Sequence, residues 1–318
     1  MASVSQAKPT GVSRPKQSVR AWPMRRREAL YGVLFALPYL LGFVLWTGGP
    51  VLASAVLSFF SYDMITPRFL GFGNYIFAFT ADDLFWSSLG RSFYFVLLSV
   101  PTGVFGSLLL AWLLDQKIGG FKLLRALFYV PSLTPVVAVA VLWSWLLHPQ
   151  IGPVNLAIRA LFHVPGPNWL GHPDWAVPSL VIMGLWAGLG SNRMLIFLAG
   201  LQGVPTELYE AAQIDGAGTW GRFTHVTLPM ISPTIFFNLI LAIIGALQVF
   251  ASAYVATGGG PAHATWFFSL HIYQNAFKYF RMGYASALAW LFLLVILFFT
   301  WIQFQMQGRW VYYAGEVK

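Results

Sequence analysis

The sequence predicts an all-α integral membrane protein with six transmembrane helices. Hydrophobic residues make up 58% of the 318 residues and charged residues only 9%, whereas a soluble domain carries about 25% charged residues. A protein surface in water needs charge, so this deficit points to lipid as the solvent. Six stretches are also apolar over the roughly 20 residues that a spanning helix requires. These stretches cover roughly 30–58, 89–114, 126–147, 176–202, 233–256 and 284–306.

The chain begins with a basic, polar tail, residues 1–28, which we expect to be cytoplasmic and disordered. The tail ends near the run Arg25-Arg26-Arg27, and the apolar stretch that follows is too long for a signal-peptide core. Because no small-residue cleavage site stands out, the first span is predicted to be retained. We interpret the tail as a solvated segment attracted to anionic membrane lipid.

The positions of the cations predict the orientation of the spans. With the tail inside, the inner segments add Lys117, Lys122, Arg125, Arg222, Arg309 and Lys318. The outer segments carry Arg68, Arg91, Arg159, Lys278 and Arg281. Cytoplasmic segments near spans are enriched in Lys and Arg, so both termini are predicted to be cytoplasmic. The membrane domain is then 29–310, followed by a short cytoplasmic tail, 311–318. The net charge of +9 follows from this topology, and no nucleic-acid partner is predicted.

Prolines and glycines predict irregular geometry in two spans. The first span carries Pro38 and Gly48-Gly49-Pro50, which favour a kink. The third carries Pro131-Ser132-Leu133-Thr134-Pro135, whose two prolines remove backbone donors and bend a helix. The bend could be the hinge of a gate or a fixed kink, and the sequence leaves both open.

The side chains for covalent or metal chemistry are missing from the sequence. The chain has no cysteine, and its six histidines are scattered, without a His-Glu-x-x-His pair. A membrane enzyme would also need a paired nucleophile and base, and no such pair stands out. We therefore predict no metal site, no catalytic residue and no bound cofactor.

Two energy sources remain for a transporter. None of the six lysines precedes Ser or Thr, so the chain lacks the GxxxxGK[ST] loop that binds nucleotide phosphates. Ion-coupled carriers usually hold acids or histidines within the membrane, but all ten acids here lie in the tail, in loops or at span ends. Sodium bound by backbone carbonyls stays open. An ion-coupled secondary transporter or channel that acts without an ATPase is thus the alternative function.

Residues 203–232 form a polar segment between the fourth and fifth spans. Pro205-Thr206-Glu207 predicts a helix start, with Thr206 capping free amides and an acid in the first turn. Gly216-Ala217-Gly218 ends that helix. A second short helix is predicted from about Thr219 to a point before Leu228-Pro229. The composition alone would equally suit a cytoplasmic hairpin without a partner.

The spacing in this segment resembles the EAA loop of permease subunits from bacterial ABC importers. Glu210-Ala211-Ala212 is followed by three residues, Gly216, nine residues, an aliphatic residue, one residue and Leu228-Pro229. The aliphatic residue is Val226, where isoleucine is common. Other stretches resemble the carbohydrate-type subfamily, of the MalF or UgpA kind: 121–131, 197–205, 254–261 and 283–287. The resemblance implies a type I ABC importer (MetI-like) transmembrane domain, with a core at about 85–307.

In that family the EAA loop is a coupling helix that docks in a cleft of a cytoplasmic ATPase. The coupling residues implied are Glu210, Ala211, Ala212, Asp215, Gly216, Leu228 and Pro229. Glu210 would meet a basic residue of the ATPase, and Gly216 would provide the turn. The resemblance further implies ATP and Mg on a partner ATPase dimer, a second homologous permease and an extracellular solute-binding protein. The cargo would be a sugar or related solute, carried across a bacterial plasma (inner) membrane.

Polar residues in the fourth and fifth spans are the candidates for a substrate pathway, since a sugar needs hydroxyl and amide partners. In the family, the sugar contacts of this subunit come from these two spans. The candidates are Ser191, Asn192, Arg193, Gly245, Gln248 and Ser252. Nearby glycines at 184, 188 and 190 would allow close helix contact or unwinding.

Two of these candidates have alternative roles. A cation at mid-bilayer costs about 2.5–3.5 kcal/mol, so Arg193 should face a wet cavity, a partner subunit or backbone carbonyls. It could contact substrate or act as a structural clamp. Gln248 could line the pathway or make a hydrogen bond between helices.

Overall fold

The computed structural model describes residues 24–116 and 121–312. The predictions for residues 1–23 and 313–318 lie outside this part of the chain. The described residues fall into two compact units, one up to Ala53 and the other from Ser54 onward.

The described part of the first unit belongs to one long helical run, which ends at Leu57, four residues after the unit boundary. It consists of α1 (Met24–Phe43), a π-helical turn (Val44–Gly48) and α2 (Gly49–Leu57). The N–H of Gly49 bonds to the carbonyl of Val44, five residues back. Pro50 has no N–H and cannot make a backbone hydrogen bond to the preceding turn. Single π-helical turns of this kind occur inside α-helices. The predicted irregularity at Gly48-Gly49-Pro50 is thus one wide turn.

The second unit is helical apart from one short antiparallel strand pair that the sequence did not predict. In that pair, β1 (Phe60–Ser61) lies beside β2 (Arg68–Phe69). The helices are, in order, α3 (Gly73–Thr80), α4 (Asp83–Leu114), α5 (Phe121–Tyr129), α6 (Val136–Leu146), α7 (Pro153–Phe162), α8 (Pro173–Gly188), α9 (Asn192–Gln202), α10 (Thr206–Ile214), α11 (Thr219–Arg222), α12 (Leu228–Met230), α13 (Ser232–Leu247), α14 (Ala251–Ala256), α15 (Phe268–Tyr273) and α16 (Met282–Gln307). A 3₁₀ turn covers Val130–Leu133, and π-helical turns cover Phe223–Thr227 and Gln274–Lys278.

Four helical runs among the described residues are long and apolar enough to cross a membrane. They are Arg27–Leu57, Asp83–Leu114, Ser232–Ala256 and Met282–Gln307. Two bent pairs also qualify, Leu123–Leu133 with Val136–Leu146 and Pro173–Gly188 with Asn192–Gln202. The predicted all-α membrane fold is confirmed, and the count reaches six if each bent pair is one span.

Both bends lie where the sequence carries prolines or glycines. The third span turns through 95° between Leu133 and Val136, because Pro131 and Pro135 cannot donate backbone hydrogen bonds. The fourth span turns through 53° between Gly188 and Asn192. At that second bend, a Cβ on Gly190 would lie 1.9 Å from the carbonyl oxygen of Phe128. The close approach of the third and fourth spans therefore requires glycine at this position.

Helix α4 forms the centre of the second unit. It packs against α8, α9 and α13, and its buried side chains contribute to three apolar clusters. Val104 and Leu108 belong to the first cluster, Phe95 to the second and Phe85 to the third. Since one continuous helix contributes to all three clusters, it provides the frame on which the broken spans are arranged.

A buried hydrogen-bond network joins the starts of α4 and α16 to α15. The carboxylate of Asp82 caps α4 by accepting the N–H of Leu84 at 2.9 Å. The same carboxylate accepts His271 Nε2–H at 2.7 Å and the hydroxyl of Tyr284. On the other side of the imidazole, Trp266 Nε1–H donates to His271 Nδ1 at 3.1 Å. Burial raises the pKa of Asp82, but the hydrogen bonds that its carboxylate accepts from His271, Tyr284 and Leu84 outweigh burial and lower it to about 2.

We expect Asp82→Asn to destabilise the protein, because the amide of asparagine cannot accept all the donors that face the carboxylate. Hydrogen bonds to a charged group contribute about 1.5–3 kcal/mol, so the thermal midpoint in detergent should fall by several degrees. Asp83→Asn is the matched control, since Asp83 is exposed in the first turn of α4. An equal fall in both variants would contradict this role of Asp82.

The pH dependence of this contribution follows from the direction of the shift. The folded pKa of about 2 is below the ordinary value of 3.8, so the carboxylate stabilises the fold above pH 3.8 and loses that effect as the pH falls toward 2. Asp82 stays ionised between about pH 7 and pH 5. Its titration should therefore not reduce the difference in thermal midpoint between the wild type and Asp82→Asn in that range. It should decrease below about pH 4.

Candidate coupling loop and transport pathway

The segment after the fourth span begins with helix α10. Pro205 occupies the position before its first residue and makes no side-chain capping bond. Thr206 is itself the first helical residue, so the expectation that Thr206 caps the helix is wrong. A proline with fixed φ suits this position because it leads the chain directly into the helix. Glu207 lies in the first turn, as predicted.

Gly216 ends α10 in a Schellman motif. It has φ = +80°, a backbone conformation that is strained for residues with a Cβ and unstrained for glycine. Its N–H bonds to the carbonyl of Gln213 at 3.1 Å, and the N–H of Ala217 bonds to Ala212 at 2.9 Å. Those two bonds satisfy carbonyls that a helix end otherwise leaves free. The predicted turn at Gly216-Ala217-Gly218 is thus present, with Gly216 providing the reversal.

The second arm of the segment runs further than predicted. Helix α11 continues through the π-helical turn Phe223–Thr227 directly into α12. The expectation that it ends before Leu228-Pro229 is wrong, because proline is tolerated in the first turn of a helix, and Pro229 is in the first turn of α12. The Tyr209 and Thr227 hydroxyls are 3.0 Å apart and join the two arms.

One face of this coupling loop, residues 203–232, packs against the membrane domain and the other is exposed. Tyr209, Val226 and Leu228 pack against the first apolar cluster. Among the predicted coupling residues, Ala212 and Leu228 are half-buried. The exposed ones are Glu210, Ala211, Asp215, Gly216 and Pro229. The structure thus separates residues that anchor the loop from residues that face outward.

Two large apolar side chains of the coupling loop are especially exposed. Ile214 is 87% exposed and Trp220 is 71% exposed. Sequence reasoning did not select them, although a large apolar residue within a polar loop is a usable signal for a contact surface. Exposed aromatic and aliphatic side chains of this kind are typical anchors of protein interfaces.

Two adjoining cavities lie among the broken spans and α4. The smaller has a volume of about 180 Å³ and the larger about 410 Å³. Both are lined by Phe95, Gly184, Gly188 and Gly245. A Cβ added to any of these three glycines would meet no atom within 4 Å. The glycines therefore keep the space open, and the larger cavity is within the range of small-molecule sites.

Four of the six predicted pathway residues line these cavities. Gly245 lines both, Arg193 lines the smaller one, and Ser191 and Ser252 line the larger one. Ser191 also caps α9, since its hydroxyl oxygen accepts the N–H of Arg193 at 3.4 Å. These four polar or small residues are brought together by the breaks in the fourth and fifth spans.

The other two predicted pathway residues are placed differently. Asn192 is exposed, and its side-chain oxygen accepts the hydroxyl hydrogen of Tyr129 at 3.1 Å. Gln248 is exposed at the end of α13, where the fifth span is interrupted before α14. Neither residue lines either of the two cavities described above.

Three hydroxyl residues that line the cavities were not predicted. Ser132 and Thr134 come from the bend in the third span and line the larger cavity. Ser99 comes from α4 and lines the smaller one. Ser132 and Thr134 belong to the proline motif already noted, so a broken span was the available signal. Ser99 lies in a long apolar run and gave no such signal.

The comparison with known families decides the class of protein. Residues 75–311 match the family described as "binding-protein-dependent transport system inner membrane component". This chain belongs to that family. As such, it is a multi-pass permease subunit of an ABC importer and is not an enzyme. In importers of this class, nucleotide is used by a partner ATPase.

Individual relatives agree with this assignment. The chain is 39% identical to the probable ABC transporter permease protein YesP of Bacillus subtilis, over 92% of this chain and 94% of YesP. It is 35% identical to the trehalose/maltose transport system permease protein MalF of Thermococcus litoralis, over 87% of this chain and 93% of MalF. A solved bacterial ABC transporter for import of the acidic polysaccharide alginate is 25% identical with a TM-score of 0.78, covering 90% of this chain and 97% of that chain.

Proposed function

We propose that this subunit moves a saccharide or related solute across a bacterial plasma membrane, in a complex with a second homologous permease, an ATPase dimer and an extracellular solute-binding protein. The observation that carries the proposal is the meeting of broken spans at two adjoining cavities, which are mainly apolar but are also lined by Arg193 and several hydroxyl side chains. Transporters bind substrate where discontinuous helices meet near the middle of the membrane. The names of the relatives support a saccharide as the cargo.

Helix α9 provides a direct connection between the coupling loop and the cavities. It starts at Asn192, beside the cavities, and ends at Gln202, just before the loop. Its 11 residues correspond to about 16 Å. Buried side chains such as Met194 and Phe197 fix it in the first apolar cluster, which also holds Tyr209 of the loop. A displacement of the loop is therefore expected to move the bend at Ser191.

The exposed face of the coupling loop is the proposed ATPase contact. Glu210, Ala211 and Asp215 would face the ATPase, while Gly216 shapes the turn. The small side chain of Ala211 permits close approach, and the exposed Ile214 and Trp220 would supply apolar contact. The half-buried Ala212 and Leu228 would support the loop from the membrane side, while the exposed Pro229 would face outward.

Alternating access follows from this arrangement. Closure of the ATPase dimer on ATP would push the coupling loop, and α9 would pass the displacement to the bend in the fourth span. The bends in the third and fourth spans would then change the access of the cavities to either side of the membrane. Ser132, Ser191 and Ser252 would offer hydroxyl groups to the cargo. In the proposed topology both termini are cytoplasmic, and ATP and Mg bind the ATPase.

Reconstitution in proteoliposomes tests this proposal. The complete importer would be supplied with its binding protein and with labelled oligosaccharides that the binding protein retains, and uptake would be compared under two conditions. We expect uptake with ATP and Mg on the ATPase side, and none with an imposed sodium or proton gradient alone. Uptake driven by either gradient without ATP would instead favour the ion-coupled alternative.

A further inference from the structure

We propose that the cargo of this importer is an acidic saccharide, and that Arg193 together with Ser99 binds its carboxylate or equivalent oxyanion. The inference rests on the proposed function and specifies the substrate class of the same cavity. The relatives do not settle the charge of the cargo, since one is named for neutral trehalose and maltose and another imports acidic alginate.

Arg193 brings an uncompensated positive charge to the smaller cavity. Its side chain is half-buried and lines the cavity. Among the described residues, no ion pair or side-chain hydrogen bond of its guanidinium is found, while its backbone N–H is held by Ser191. Within the described part of the chain, no Asp or Glu lines the cavity. A partly buried cation without a partner is unfavourable, so binding of an anion next to Arg193 would be favourable.

Helix α4 makes room for this guanidinium. A Cβ on Gly103 would lie 2.8 Å from Arg193 Nη1, so the guanidinium rests directly on the backbone of α4. The nearby α4 residues Val100 and Phe95 are apolar walls of the cavity. They shield the cation from water without neutralising it. This arrangement keeps the fork of the guanidinium available for a ligand.

Ser99 adds an independent observation that the site lacks a polar ligand. Its hydroxyl is buried and has no hydrogen-bond partner within the described residues. Ser99 and Gly103 are four residues apart, so they share one face of α4, and both line the cavity that contains Arg193. A buried hydroxyl without a partner is unfavourable. An oxyanion between Ser99 and Arg193 would accept from both groups.

The chemistry favours an oxyanion over a neutral sugar hydroxyl. Arginine binds a carboxylate through two parallel N–H···O bonds, and such charge-assisted bonds are roughly twice as strong as neutral ones. A neutral saccharide would leave the charge of Arg193 unpaired. The competing explanation is a structural clamp, in which Arg193 pairs with an acid of the second permease. If Arg193 binds the cargo, a variant without its charge should lose the preference for acidic saccharides. If Arg193 is a clamp, the same variant should lose the second permease.

Selectivity measurements on variants of the complete importer test the inference. A labelled uronic-acid oligosaccharide and its carboxyl-reduced neutral counterpart would be offered to proteoliposomes with ATP. The binding protein stays constant, so a change in the uptake ratio reports on the permease. We expect Arg193→Gln to lower the ratio of acidic to neutral uptake at least tenfold. Arg193→Lys keeps the charge but not the two parallel hydrogen bonds, so it should lower the ratio less than Arg193→Gln. Ser99→Ala should lower the ratio a few-fold.

Arg91→Gln is the matched control, because Arg91 is also an arginine within a span and its guanidinium binds Ser87 at 3.3 Å outside the cavity. It should leave the uptake ratio unchanged. An unchanged ratio in Arg193→Gln would overturn the inference while the proposed function stands. Loss of the second permease on purification of Arg193→Gln would also overturn it in favour of a clamp. If the wild type takes up neither probe, nor any other saccharide with ATP, the proposed function itself fails.

Discussion

Replacing Glu210 with lysine is expected to abolish ATP-driven uptake while the subunit remains folded. Glu210 is exposed on α10, and the neighbouring Tyr209 anchors that helix to Thr227. Exposed surface substitutions usually change stability by no more than about 0.5 kcal/mol. A like-charge contact at an interface costs several kcal/mol, so uptake and transport-linked ATP hydrolysis should fall at least tenfold.

Three controls separate loss of coupling from a general effect of charge. Glu210→Gln removes the charge without reversing it and should have a smaller effect. Asp174→Lys makes the same reversal at an exposed acid in the first turn of α8, at the other end of the fourth span. Uptake should survive that change. An acidic substitution of the ATPase residue opposite Glu210 should restore uptake in the lysine variant.

The informative readouts for Glu210→Lys are assembly and uptake measured on the same preparation. Reduced co-purification of the ATPase, or normal co-purification with uncoupled hydrolysis, would each place Glu210 at the contact. Normal uptake with normal co-purification would remove Glu210 from the coupling surface. The proposed orientation of the loop toward the ATPase would then have to be revised, although the family assignment would not change.

Local signals were sufficient to predict most of the secondary structure. Spans follow from hydropathy because the apolar stretches are long, and the predicted and observed bounds differ by only a few residues for most spans. Gly216 was predictable as a helix end because few other residues adopt its positive φ without strain. The bend between Pro131 and Pro135 was predictable because proline lacks a donor.

The candidate cavity was only partly predictable. Ser191 and Arg193 stood out because polar residues are rare within spans. Ser99 did not, because its importance depends on which face of α4 meets Arg193, and that is a tertiary property. Asn192 illustrates the converse, since it is polar and next to the bend but bonds to Tyr129. Periodicity on a single helix cannot reveal which neighbour a residue will meet.

The same limit applies to helix boundaries in the coupling loop. Thr206 was expected to cap α10 because threonine is a frequent capping residue, yet the chain starts the helix from Pro205 without a side-chain cap. Leu228 was expected to follow a helix end, but the second arm continues helically to Met230. Local preferences of this kind are weak and tertiary contacts can override them, and Val226, Leu228 and Met230 of the second arm do pack against the first apolar cluster.

Gly190→Ala is expected to destabilise this subunit strongly. The added Cβ would lie 1.9 Å from the carbonyl oxygen of Phe128 and 2.6 Å from its carbonyl carbon. Both of these are backbone atoms, so no side-chain rotation can relieve the clash. The third and fourth spans would have to separate at the bend. Overpacking of this kind costs about 1–3 kcal/mol or more, so the thermal midpoint and the yield of assembled importer should both fall sharply.

Gly188→Ala provides the matched control for Gly190→Ala. Gly188 is two residues earlier in the same span, and a Cβ there would meet no atom within 4 Å. Alanine favours helix over glycine by about 0.5–1 kcal/mol, so this variant should be as stable as the wild type or slightly more so. Its methyl group would enter the cavities, and uptake could fall without loss of stability. Equal thermal midpoints for the two variants would mean that the third and fourth spans do not approach each other at Gly190, and the bend that places Ser191 and Arg193 at the cavities would lose its physical basis.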